Sequence, residues 1–247
     1  MPRYKITVEY DGSPFFGWQA QKNLPTVQGF LQQAIFNATG HEPEVFGAGR
    51  TDTGVHAVAQ VAHFDSGRDW DGYRMAAAIN AHLAAAKVPI SVLEASIVQD
   101  GFHARFSAKF RCYKYVMINR RSPPALWKNR AYLYRYNLDV AAMQNAAAVF
   151  VGRHDFSSFR ASECQSNSAV KTIDRFKITR TGEQIVFQVK AKSFLHHQVR
   201  NMVGSLVEVG RGKIDGLALQ GILDAKDRRK AGPTAPACGL YLFQVGY

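Results

Sequence analysis

The order of apolar and polar positions along the chain predicts a repeated series of strands and helices. A strand spans Tyr4–Glu9, and a helix opened by Thr26 as N-cap runs to about Ala38. Strands at Glu44–Ala48 and Gln60–Phe64 follow, then a helix at about Tyr73–Ala85 and a strand at Val92–Val98. The series then starts again with a strand at Arg111–Ile118, an Ala-rich helix at Val140–Val149, and strands Val170–Thr179 and Gln184–Ala191 joined at Thr181-Gly182. A helix at His196–Val209, another from Gly216 to about Leu223, and a closing strand in GLYLFQVGY complete it.

The first series reads β-α-β-β-α-β, the ferredoxin-like order, and the second repeats that order without evident sequence identity. The expectation is an α+β fold of two ferredoxin-like domains with largely antiparallel sheets, residues 1–104 and 105–247.

Comparing the halves isolates a candidate site. The middle strands of the second half need only a tight turn. In the first half the same connection is Gly49–Val58, longer than the roughly 2–5 residues of most hairpins. It lies within FGAGRTDTGVHA, where Gly47, Gly49 and Gly54 surround one carboxylate, Asp52. Glycine-rich loops often cradle phosphates with backbone N–H groups. This one lacks the Gly-Lys-Ser/Thr ending of a P-loop, and Asp52 stands where a dinucleotide fingerprint needs its third glycine. A carboxylate there would repel a phosphate. The commonest role for such an acid is to cap a solvated turn. The glycines flanking Arg50-Thr51-Asp52-Thr53, with His56 just beyond, favour a site instead.

Charge narrows the partner. Lys and Arg number 31 against 19 Asp and Glu, a net +12 that attracts polyanions. From Gly101 to Leu138 there are nine Lys/Arg and nine aromatics, with no Asp or Glu. Cations for phosphates and rings for bases are what a nucleic-acid groove needs. In RCYKYVMIN, alternation puts Arg111, Tyr113 and Tyr115 on one face, with Cys112 and Lys114 on the other. Tyr113 is the candidate ligand-facing residue, whereas Phe102, Phe106 and Phe110 suit a core as well as a ligand. In SFLHHQVRNMVGSLVEVG, Arg200 sits beside a buried stripe of Val199, Val203, Leu206 and Val207. An unpaired guanidinium there is costly, so a carboxylate partner is expected, with Asp52 the candidate. His196 and His197 are adjacent and expected to point to different faces, a poor metal pair.

Cys112, Cys164 and Cys238 are scattered without a C-x-x-C, so neither a disulfide framework nor a zinc site is indicated. MPRYKITVEYDG has no apolar signal region, and no run reaches the roughly 18 apolar residues of a membrane span. A cytoplasmic protein with no membrane partner is expected.

YDGSPFFGWQAQ, TVQG, GAGRTDTGVHAVAQVAHF, FHARFSAKFRCYKY, HDFSSFRAS, SFLHHQVRNMVG and GPTAPACGLYL together resemble the motifs of the tRNA pseudouridine synthase A (TruA) family, in the family's order. NAHLAAAKVPISV departs from the family's Asn-x-x-Leu-Pro-x-Asp-like run, which bears on a local helix-to-strand connection. The resemblance implies cofactor-free isomerisation of uridine to pseudouridine at positions 38, 39 and 40 of tRNA, in the anticodon stem-loop. It also implies a homodimer, with the active site in the cleft between the two ferredoxin-like domains of each chain. It assigns the catalytic aspartate to Asp52, its basic partner to Arg200, the tyrosine that packs on the flipped base to Tyr113, and an arginine of base flipping to Arg50.

That reaction breaks N1–C1′, turns the uracil and joins C5 to C1′. Nothing is oxidised, so neither redox cofactor nor metal is required. An ionised carboxylate can attack C1′ or C6, stabilise positive charge on the sugar, or remove a sugar proton. A neighbouring arginine keeps it ionised. The base must leave the stack at a cost of about a few kcal/mol, which a ring such as Tyr113 offsets. Two rival functions share these residues. A non-catalytic RNA-binding module would not need Asp52, and a hydrolytic N-glycosidase would release free uracil.

Overall fold

The computed structural model describes residues 1–247. Their ten strands, mostly antiparallel, and five α-helices make a mixed α+β fold. The chain forms two compact units, Met1–Lys109 with Leu242–Tyr247, and Phe110–Tyr241. In chain order the first contains β1 (Arg3–Tyr10), α1 (Val27–Thr39), β2 (Phe46–Gly47), β3 (His56–Asp65), α2 (Gly72–Ala85) and β4 (Ile90–Val98). The second contains β5 (Phe110–Asn119), β6 (Tyr132–Tyr134), α3 (Val140–Ala147), β7 (Gly152–Asp155), β8 (Val170–Thr181), β9 (Gln184–Ala191), α4 (Gln198–Gly210) and α5 (Gly216–Ala225). Strand β10 (Leu240–Gly246) follows.

In the first unit β1 lies between β3 and β4, antiparallel to both, and β2 pairs with β3. Strict alternation along β1 buries Tyr4, Ile6, Val8 and Tyr10, the period-2 pattern of a strand with one covered face. Helix α1 begins where Thr26 Oγ1 accepts from Gly29 N and ends at Gly40, left-handed at φ 72°. The Thr26 cap is worth about 1 kcal/mol. Leu31 and Ile35 of α1 and Met75, Ile79 and Leu83 of α2 complete this core. The last residues are tied to this unit. Lys109 N donates to Gly246 O at 2.8 Å, Tyr247 OH donates to Ala104 O at 2.7 Å, and the Tyr247 ring packs on Phe102.

In the second unit the strand order is β5-β9-β8-β7, with β6 parallel to β5. Strands β8 and β9 are joined at Gly182-Glu183, Gly182 supplying the positive φ of 58°. Helix α4 is buried along most of its length, polar residues included. Asn201 Nδ2 donates to Phe159 O, and its Oδ1 accepts from Thr234 Oγ1 and Arg228 Nη2. Ser205 Oγ accepts from Gly232 N. These bonds lash the segment 228–235 to the helix. No helix is long and apolar enough to cross a membrane.

Candidate active site

The loop carrying Asp52 occupies residues 48–55, shorter than the expected connection because β3 begins at His56. His56 is therefore not a loop residue. It is 2% exposed, and its Nδ1 accepts from Gly12 N at 3.0 Å.

The loop is fixed from beneath. Thr51 is buried, and its Oγ1 meets Tyr10 OH at 2.7 Å. Gln60, fully buried on β3, donates from Nε2 to Gly49 O at 2.6 Å. Thr51 O accepts from Trp18 N at 3.0 Å, and Val55 N closes back on Asp52 O at 3.1 Å. The segment 12–18 lies so close that a Cβ at Gly12 would stand 2.0 Å from Val55 O. Only glycine fits that approach. With Thr51 turned inward, Arg50 is left exposed and Asp52 partly exposed. Arg50 Nε donates to Gln19 Oε1 at 3.0 Å. Gln19 Nε2 donates in turn to Gln28 Oε1, and Gln28 Nε2 donates to Val45 O. A chain of side-chain amides thus steadies the arginine from α1. The two predicted residues of this unit, Arg50 and Asp52, are held by one backbone device.

In the second unit, the β5 face that carries the candidate Tyr113 divides. Arg111 is buried, its Nη1 donating to Lys192 O at 2.8 Å. Tyr115 is fully buried, its hydroxyl donating to Pro236 O at 2.8 Å, and burial pushes its phenol well above the usual value. Tyr113 between them is half-buried, edge-on to Phe194 with ring centroids 5.1 Å apart. It alone of the three keeps partly open surface.

Arg200 is half-buried on α4. Its Nε donates to Ala235 O at 2.8 Å, and its own carbonyl accepts from Ala235 N at 3.1 Å. This clasp exists because Gly204, one turn on, has no side chain. A Cβ there would lie 1.7 Å from Pro233 O. The GPTAPA stretch is thus the strap that orients Arg200.

His196 and His197 do not diverge as adjacency suggests. His197 takes a left-handed φ of 61° at the start of α4, which swings its ring to 4.0 Å from that of His196. Tyr10 and Gln60, which support the Asp52 loop, and Phe194 and Asn201, which pack beside Tyr113 and hold the strap over α4, were missed from sequence. The available signal was a polar residue inside an apolar run, as in VAQVAHF and in the buried helix around Asn201.

The family model described as tRNA pseudouridine synthase matches residues 6–107 and 146–247. Over its whole length the chain is 51% identical to tRNA pseudouridine synthase A of Azorhizobium caulinodans, covering 95% of that protein. The whole chain is also 49% identical to tRNA pseudouridine synthase A of Caulobacter vibrioides and 50% identical to that of Sinorhizobium fredii, covering 99% and 100% of them. With half of its residues shared along nearly the full length of each relative, the chain belongs to the tRNA pseudouridine synthase family and is an isomerase.

Proposed function

We propose that this chain converts uridine to pseudouridine at positions 38, 39 and 40 of the tRNA anticodon stem-loop, with Asp52 as the catalytic carboxylate. The observation that carries the reading is the end-to-end identity with relatives named for tRNA pseudouridine synthesis. A loop that fixes Thr51 from below and leaves Asp52 partly exposed supports it.

In this reading the chain folds as two ferredoxin-like domains and works in the cytoplasm as a homodimer. Asp52 engages the sugar or base of a uridine turned out of the stack. Arg200 is its electrostatic partner, keeping the carboxylate ionised and aimed. Tyr113 takes the face of the flipped uracil, replacing the stacking that extrusion costs. Arg50 occupies or braces the gap left in the RNA, where the amide chain through Gln19 limits its rotamers. The bond from C1′ passes from N1 to C5, the C5 proton leaves to solvent and N1 takes up a proton in its place, so the RNA keeps its mass.

The test is an unmodified tRNA transcript carrying tritium at uridine C5, incubated with wild type and with Asp52→Asn. Release by wild type alone, from RNA of unchanged mass, is expected. Equal binding by both proteins without release would replace this reading with RNA binding alone. Free uracil would replace it with glycosidase chemistry.

A further inference from the structure

The turn over residues 102–107 in the first unit ends in an aromatic ring that its own fold does not require. His103 organises the turn. Its N–H donates to Ser107 Oγ, its carbonyl accepts from Ser107 N, and its Nδ1 accepts from the N–H groups of Arg105 (3.1 Å) and Phe106 (3.4 Å). Those bonds require a bare Nδ1, so the neutral ring carries its proton on Nε2. Burial, with Arg3 and Arg105 nearby, holds this imidazole below its ordinary pKa and so uncharged at neutral pH.

A run of rings passes through it. The His103 ring lies 4.6 Å from His63, 5.3 Å from Phe46 and 4.4 Å from Phe106. His63 is buried, stacked on Phe46 across the β2–β3 pair, and accepts from Ala104 N through Nδ1. The inner rings are therefore fixed. The outer one, Phe106, is 77% exposed, with the Arg105 guanidinium carbon 5.9 Å from its centroid. Strand β2, which bears Phe46, leads directly into the loop that carries Asp52.

We propose that Phe106, backed by His103, is a stacking platform for one unpaired base of the substrate RNA other than the target uridine, with Arg105 meeting that nucleotide's phosphate. The inference rests on the tRNA-modifying function proposed above and adds a second point of grip. Charge selects the occupant. Phe106 lies in the first unit's stretch 101–109, which holds Arg105 and Lys109 and no acid. A second copy of the chain docked on the same patch would set cations against cations. A nucleotide supplies both the anion and the flat face. A ring whose backing is already immobile loses little freedom on binding.

The experiment measures tRNA affinity, KM and kcat for wild type, Phe106→Ala, Phe106→Leu and Phe106→Trp, with sedimentation of each. A substrate carrying 2-aminopurine at single loop positions reports stacking by quenching. Expected are a loss of affinity of roughly 5- to 100-fold in the Ala and Leu variants, an unchanged kcat, near-wild-type behaviour for Trp, and quenching at one position that Phe106→Ala abolishes. Wild-type affinity in Phe106→Ala, or in Phe106→Leu, would overturn the platform while leaving the isomerase function intact. A smaller sedimentation coefficient for Phe106→Ala would replace the RNA by a second copy as occupant. A wild-type protein that neither binds tRNA nor releases tritium would overturn the function and the platform together.

Discussion

Replacing Gly12 by alanine tests whether the Asp52 loop works through its close seat on the segment 12–18. The added Cβ would stand 2.0 Å from Val55 O and 2.5 Å from its carbonyl carbon, where ordinary contact begins at 3.4 Å. Backbone must therefore part from backbone by more than about 1 Å, since neither side has a flexible atom to give. Val55 N holds Asp52 O, and Gly12 N holds His56 Nδ1, so the strain falls on the bonds that place the carboxylate. A misplacement of about 1 Å costs about 10²-fold in rate, and overpacking of this kind costs about 1–3 kcal/mol of stability. The assay is single-turnover tritium release at saturating enzyme, beside tRNA affinity by filter binding and a thermal melt. The expected outcome is a folded variant with near-normal affinity and a rate lowered by about two orders of magnitude. Gly101→Ala serves as control, because a Cβ there meets nothing within 4 Å. A folded Gly12→Ala protein that turns over at the wild-type rate would refute the reasoning.

Tyr10→Phe leaves buried Thr51 Oγ1 without the hydroxyl it meets at 2.7 Å. Stability should fall by about 1–3 kcal/mol in urea titration, and kcat should drop more than KM changes. Gly204→Ala drives α4 away from Pro233 and opens the Arg200–Ala235 clasp. Both kcat and the melting temperature should fall, whereas intact activity would deny Arg200 its need for the strap. Burial, with His103 and Arg3 nearby, lowers the His63 pKa to about 4 from the usual 6.5. Between those values the unfolded chain binds the extra proton, so stability should decline as pH falls from about 6.5 to about 4. The lowered pKa of His103 acts in the same direction. Denaturation of His63→Asn at pH 7 and pH 5 should show a shallower decline than wild type. Asp65, held below 3.8 by Arg3, adds its own loss only at lower pH.

Much of the scaffold was legible because local signals and tertiary packing agree. Strand β9 runs from Gln184 to Ala191 as its alternation predicts, and Thr26 caps α1 as its position before an apolar-periodic run suggests. Strands β6 and β7 were not legible. They are three and four residues long and exist through pairing with β5 and β8, which no local pattern announces. The Asp52 loop stood out by its glycines, but its supports did not. Tyr10 and Gln60 read as ordinary strand residues, and only the folded register brings them under Thr51 and Gly49. Arg111 shows the converse. Its charge suggested a ligand, yet the Lys192 carbonyl satisfies part of its guanidinium in a buried position.

The bond from Tyr247 to Ala104 spans 143 positions, and Leu242–Tyr247 belong to the first unit although the whole second unit is made before them. A ribosome therefore releases the first unit's opening stretch long before the piece that finishes it. Domains made in order usually fold in order. Here the second unit is the one whose residues are contiguous. The half bearing Asp52 would wait, with Ala104, Phe102 and the Lys109 N–H unmatched, until residues 242–247 have been made. A chain stalled before residue 242 would thus hold Asp52 on an unfinished sheet, and the activity proposed for that loop would have to await the second unit's completion.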